Sequence, residues 1–131
     1  VRFSGSGGAC DIACLAQRTI IIAKHERRRF PERVDYITSP GWLDGGDSRA
    51  SSGLIRGGPS AVVTTRGVMR FHEGTRVMYL ASIHPGVAAY EVAEETGFPL
   101  DREDAIETVP PNAEELRILR EVVDPQRIFL R

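Results

Sequence analysis

Four small residues in a row, Gly5-Ser6-Gly7-Gly8, separate a strand-like tetrapeptide from a stretch with helical spacing. No other feature limits the fold of this chain as much. Residues 1–4 have the character of a strand end. Over residues 9–17, Ile12, Ala13, Leu15 and Ala16 supply the apolar positions of a short helix. Residues 19–23, Thr-Ile-Ile-Ile-Ala, are a β-branched run bounded by polar residues, the pattern of a strand buried in a parallel sheet. Strand, glycine turn, helix and strand make a βαβ unit. The expected class is therefore α/β, with a mixed, mostly parallel sheet flanked by helices. A chain of 131 residues, 41% of them hydrophobic, is long enough to bury one domain's core.

Further along, residues 34–38 are a short strand candidate. Residues 39–59 hold six glycines, Gly41, Gly45, Gly46, Gly53, Gly57 and Gly58, and predict a long loop, either functional or disordered. Residues 61–65 are a second β-branched run. Residues 67–72 and 76–83 flank His72-Glu73-Gly74-Thr75 as an antiparallel hairpin. Residues 87–96 predict a helix with Gly97 as its stop. After Pro110-Pro111, Asn112 and Glu115 stand in the capping-box arrangement of a further helix. Leu116, Leu119 and Val123 line one face of it, and Asp124-Pro125 ends it.

The glycine turn is also the best site signal. Glycines let a ligand approach the backbone closely. The helix that follows presents unpaired N–H groups and the positive end of its dipole. Together these favour a carboxylate, a phosphate or a developing oxyanion. The turn has neither the acidic residue of a dinucleotide-binding unit nor the Lys-Ser/Thr of a Walker loop. Lys24 and His25 follow the second strand of the βαβ unit, where open α/β sheets face their ligands, and are candidates for binding an anionic substrate group. Trp42 could cover an acyl chain, an adenine or a partner subunit, or simply anchor the loop.

Charge excludes other classes. The net charge is -1, and Glu26 and Glu32 interrupt the only basic cluster, Arg27-Arg28-Arg29, so no nucleic-acid footprint is expected. No apolar run approaches the roughly 20 residues that span a bilayer. Three scattered histidines do not give a metal-ligand spacing, and no metal is expected. Cys10 and Cys14, four apart on the predicted helix, have parallel Cβ vectors that suit a disulfide badly. Small buried thiols in a reducing, cytoplasmic setting are the expectation.

The motifs carry a resemblance. Gly5-Ser6-Gly7-Gly8-Ala9-x-Asp11 resembles the Gly-x-Gly-Gly-Ala-x-Asp segment of family I CoA-transferases. Arg18-Thr19-Ile20-Ile21-Ile22, Lys24-His25-Glu26 and Val34-Asp35-Tyr36-Ile37-Thr38-Ser39-Pro40-Gly41 are similar to the stretches that follow it in B (beta) subunits of the glutaconate type. Gly58-Pro59, Gly67-Val68-Met69, His84-Pro85-Gly86-Val87 and Thr96-Gly97-Phe98-Pro99-Leu100 resemble later blocks, in order. The resemblance implies the CoA-transferase subunit fold, a NagB/RpiA-like superfold, as a single domain over residues 1–131. It also implies that the chain is the C-terminal half of a glutaconate- or 3-oxoacid-type B subunit, without its N-terminal half.

The implied activity is transfer of coenzyme A from an acyl-CoA to a carboxylic acid, in a hetero-oligomer with an alpha (A) subunit. Coenzyme A is then a substrate, and no permanently bound cofactor is implied. Gly7, Gly8 and Ala9 are the implied oxyanion hole. The family's nucleophilic glutamate belongs to a motif upstream of the glycine loop, and no glutamate here sits in such a motif. Alone, the chain is expected to be inactive. Two alternatives stay open: a CoA-ester or ring-opening hydrolase of the same fold, and a non-catalytic assembly subunit.

Overall fold

The computed structural model describes residues 5–128, so the strand expected at residues 1–4 lies outside the described residues. One sheet of five strands runs in the order β1-β2-β3-β4-β5. The strands are β1 (Thr19–Ala23), β2 (Pro59–Thr64), β3 (Gly67–Phe71), β4 (Met78–Ile83) and β5 (Ile106–Glu107). β1 is parallel to β2 and β4 to β5, while β3 is antiparallel to both its neighbours. Four strands therefore point one way and β3 runs against them, which is the mixed, mostly parallel sheet expected.

Local chemistry explains β3. A two-residue turn reverses the chain after Thr64, whose Oγ1 accepts from the amides of Arg66 and Gly67 at 3.2 Å each and donates to the Gly67 carbonyl at 3.0 Å. A Cβ at Gly67 would collide with the Ser82 carbonyl on the next strand. β3 and β4 then pair as the predicted hairpin, from Phe71 opposite Met78 to Gly67 opposite Ile83. Its turn closes through Arg76, a non-glycine residue at φ 61°. The return to β5 passes through α3 (Ala89–Glu94). Phe30, Val62, Met69, Leu80, Val92 and Leu100 form the core cluster, with Met69 and Val92 fully enclosed.

Several expectations need correction. The helix expected at 9–17 is α1 (Gly7–Leu15), so Gly7 and Gly8 belong to its first turn rather than to a preceding loop. β1 was expected to be buried, yet Ile20, Ile21 and Ile22 are 53%, 45% and 84% exposed. The reason is position: among the described residues β1 is an edge strand, paired only with β2.

Residues 34–38 form no strand; among the described residues no neighbour offers them a ladder, and Val34, Tyr36 and Ile37 are exposed. The predicted loop 39–59 contains a one-turn helix, α2 (Ser48–Ser51). α3 ends three residues before Gly97. That glycine serves close packing instead, because a Cβ there would lie 2.6 Å from the Phe30 carbonyl oxygen.

The Asn112 capping box does start α4 (Ala113–Arg117): Glu115 N donates to Asn112 Oδ1 at 2.9 Å and Asn112 N to Glu115 Oε2 at 2.8 Å. A π-helical turn (Ile118–Val123) continues it, closed by Asp124 N to the Leu119 carbonyl. Its apolar stripe is not packed, for Leu119 and Val123 stand exposed.

Candidate functional site

The carboxyl ends of β1, β2, β4 and β5 share one edge of the sheet, where ligands of open α/β folds gather. Two histidine networks lie at this edge, one buried and one half-buried. Just past β1, His25 is 4% exposed and stacked on Phe30 at 4.6 Å between ring centroids. Its Nε2 lies 3.1 Å from the Val92 carbonyl and so must donate to it, while Nδ1 faces Thr64 Oγ1 at 3.3 Å. Thr96 Oγ1 also donates to the Val92 carbonyl, at 2.8 Å. Burial pushes the His25 imidazole below its ordinary pKa, against the raising pull of the Val92 carbonyl.

After β4, His84 bridges strand ends: Nε2 meets the Thr64 carbonyl at 2.9 Å and Nδ1 meets Thr108 Oγ1 at 3.1 Å. Thr64 thus ties both histidines, and nothing in its sequence context announced that role.

Lys24 and His25 therefore part company. Lys24 stays outside, 66% exposed, with Nζ 2.9 Å from Glu26. Glu26 also pairs with Arg28 at 2.7 Å and Arg29 at 3.4 Å. Hydrogen bonds from Lys24 and Arg28 hold its carboxyl down at about 2. His25, expected to face a ligand, turns into the core, with Nε2 bonded to the Val92 carbonyl and Nδ1 beside Thr64 Oγ1. No hydrogen bond or ion pair among the described residues joins either residue to residues 7–9.

The glycine segment has a different character. The first bond of α1 runs from Cys10 N to the Ser6 carbonyl at 2.9 Å, so the amides of Gly7, Gly8 and Ala9 precede the helical ladder. Gly7, Gly8 and Ala9 are all exposed. Neither Gly7 nor Gly8 has a positive φ, and a Cβ at either would meet nothing within 4 Å. Glycine costs a helix roughly 1 kcal/mol relative to alanine. Within the described residues, neither backbone conformation nor packing accounts for two of them. Beside Ala9, a mostly apolar cavity of about 350 Å³ is lined by Ile12, Ile20, Pro40 and Pro59, among others. Cys10 and Cys14 are free and half-buried, less enclosed than expected, with their sulfurs 4.0 Å apart.

Trp42 acts as an anchor: its Nε1 donates to the Pro59 carbonyl at 2.9 Å, and the Arg76 guanidinium lies 4.5 Å over its ring. Arg49, to which no sequence signal pointed, is 2% exposed, and among the described residues its side chain hydrogen-bonds only main-chain carbonyls. Among the described residues, no cluster of three or more His, Cys, Asp or Glu could hold a metal ion. No helix among them is long and apolar enough to cross a membrane.

Sheet order and the glycine-led helix define an open α/β fold. The family model for coenzyme A transferase matches residues 1–95, and the chain belongs to that family. It is 44% identical over 131 residues to the B subunit of glutaconate CoA-transferase from Acidaminococcus fermentans, covering 99% of this chain and 49% of that one. The solved structure of glutaconate coenzyme A-transferase from A. fermentans superposes with a TM-score of 0.91 at 43% identity, covering all (100%) of this chain and 50% of that one. The B subunit of 3-oxoadipate CoA-transferase from Pseudomonas knackmussii is 39% identical, covering 92% and 46% of the two chains. The cholesterol ring-cleaving hydrolase IpdB subunit of Rhodococcus jostii is 34% identical, covering 82% and 42%. The chain thus spans about half the length of the curated relatives it matches.

Proposed function

We propose that this chain is the C-terminal half of the B subunit of an acyl-CoA:carboxylate CoA-transferase of glutaconate or 3-oxoacid type, acting with an A subunit in the cytoplasm. One observation carries the reading. Gly7 and Gly8 present exposed amides outside the helical ladder, at positions where the described fold has no need of glycine. A reacting thioester carbonyl seated there supplies the need. Its oxygen gains negative charge as a carboxylate attacks, and amide N–H groups aimed at that oxygen lower the barrier.

In this reading, the attacking carboxylate is a glutamate outside residues 1–131. The glutamyl-CoA thioester it forms then passes its coenzyme A to a second carboxylic acid. Gly7, Gly8 and Ala9 supply the oxyanion contact, most directly Gly8 or Ala9. Lys24 is an exposed cation just past the carboxyl end of β1, able to exchange Glu26 for a phosphate or carboxylate of substrate. His25 helps by holding the exit of β1 in place. The exposed isoleucines of β1 suit a sheet that continues into the other half of the subunit. Coenzyme A is a substrate here, and the chemistry asks for no permanently bound cofactor.

Gly8→Val in the complete two-subunit enzyme tests this. A side chain there meets open space within the described fold, so assembly should survive. Valine keeps the amide but sets a side chain where the carbonyl would approach, and a displacement of about 1 Å should lower activity on the order of 10²-fold. An assembled variant with full activity would refute the role.

The similarity to a ring-cleaving hydrolase subunit keeps hydrolysis in the same cleft as the second reading. Hydroxylamine trapping separates the two. A glutamyl hydroxamate formed in the presence of acyl-CoA marks transfer, and its absence during turnover marks hydrolysis. An assembled complex without either activity would leave only an assembly role.

A further inference from the structure

α1 is attached to the rest of the molecule by little. None of its residues is buried, and Ile12 and Leu15 are 64% and 73% exposed. Among the described residues, only one side chain from elsewhere hydrogen-bonds to it, and that is Arg49. This residue belongs to α2, the one-turn helix inside the glycine-rich loop. Its Nη2 donates to the carbonyls of Ala13 at 2.6 Å and Cys14 at 3.3 Å, in the last turn of α1. Those carbonyls have no partner further along the helix and form the negative end of its dipole.

The rest of the guanidinium grips the loop. Nη2 and Nε reach the Arg56 carbonyl at 3.0 and 3.2 Å, and Nη1 reaches Gly41 and Pro40 at 3.0 and 3.3 Å. Every acceptor is main-chain carbonyl. A buried cation without a carboxylate is tolerated only when its donors are satisfied in this way. The planar fork of arginine can span three chain segments at once, which the single ammonium of lysine cannot. Gly57 closes the same junction, since a Cβ there would collide with the Ala16 carbonyl. The seat of Arg49 is itself fixed, as Ser48 Oγ and the Gly45 amide both bind the Trp42 carbonyl at 2.9 Å.

A nine-residue helix is a rod of roughly 13 Å. Clamping its last turn sets where its first turn points, and the first turn carries the amides of Gly7, Gly8 and Ala9. We propose that Arg49 is a positioning residue for the reaction: it aims the glycine amides at the reacting carbonyl by holding the far end of α1. This rests on the oxyanion role of those amides. An oxyanion contact is made in the transition state, so misaiming it lowers kcat and spares KM. A misplacement of about 1 Å can cost on the order of 10²-fold.

The test uses the complete two-subunit enzyme carrying Arg49→Met, Arg49→Lys or Arg49→Ala. Arg49→Met should lower kcat roughly 10- to 100-fold with KM within about twofold. Amide exchange over residues 10–15 should quicken while β2–β4 stay protected. Millimolar guanidinium, but not ammonium, should restore part of the kcat of Arg49→Ala. Wild-type kcat in Arg49→Met, with only a lower melting temperature, overturns the proposal. So does a loss carried wholly by KM. If the Met variant does not assemble, Arg49→Lys decides: reduced kcat in an assembled complex supports the proposal, and wild-type kcat overturns it. Gly8→Val separates the two levels. If it is fully active, the oxyanion reading fails and takes this proposal with it. If it is inactive while Arg49→Met keeps full kcat, only the positioning role fails.

Discussion

Acid should weaken this protein through His25 in a defined window. The imidazole is 4% exposed, with Nε2 donating to the Val92 carbonyl and Nδ1 facing Thr64 Oγ1. Burial holds its pKa below the ordinary 6.5, and the charge of Arg66 adds to the lowering, while the Val92 carbonyl and Glu95 oppose it. An unfolded chain takes up this proton near pH 6.5, and the folded chain resists until a lower pH. Between those two values the unfolded state binds more protons, so stability falls as pH falls. The limiting slope for one proton is about 1.4 kcal/mol per pH unit. Above pH 6.5 both states are neutral and His25 contributes no slope.

His25→Phe removes the titration and keeps a ring against Phe30. The Val92 carbonyl keeps its bond from Thr96, so the cost at pH 7.5 should be about 1 kcal/mol, that of an ordinary hydrogen bond. Urea unfolding at half-unit steps from pH 7.5 to 5.0 measures both proteins. Trp42, the sole tryptophan, provides the signal. The wild-type advantage should shrink below pH 6.5 and can reverse. Glu26 does not intrude, because its carboxyl sits at about 2 against an ordinary 4.5, so what it adds is lost only as pH falls below 4.5. A constant difference between the two proteins across the range would refute the reasoning.

Other outcomes follow from single contacts. Met69 is fully enclosed between β2 and β4, so Met69→Ala should cost about 2–5 kcal/mol, read as a lower urea midpoint at unchanged m-value. A midpoint within error of wild type would contradict the packing described. Gly58 sits at φ 106° with the Trp42 ring 2.6 Å from where a Cβ would go. Gly58→Ala should therefore displace the indole and shift its emission to the red, and an unaltered spectrum would place Trp42 elsewhere.

Elements governed by near neighbours were legible in the chain itself. The β3–β4 hairpin was one, because its two strands lie a few residues apart and alternate in register. The Asn112–Glu115 box was another, since cap and capped amide are three residues apart. Elements whose state depends on distant partners were misread. Residues 34–38 have strand composition and, among the described residues, no strand to pair with. Gly97 looked like a helix stop and proved to be a point of close approach to Phe30, 67 positions earlier.

At the site, the glycine motif and its family likeness could be read at once, while the divergence of Lys24 and His25 could not. A side chain's direction at a strand exit depends on what lies over that strand, here Phe30 and α3.

The sequence by itself determined that a helix led by two glycines would precede a β-branched strand, as α1 and β1 do. Periodicity and turn chemistry act within a few residues, and they suffice for that. The tertiary structure alone decided that β1 stands at an edge among the described residues, that His25 faces inward, and that Arg49 gathers carbonyls from residues 13–14, 40–41 and 56. Burial and hydrogen bonding between remote segments exist only once the chain has closed on itself.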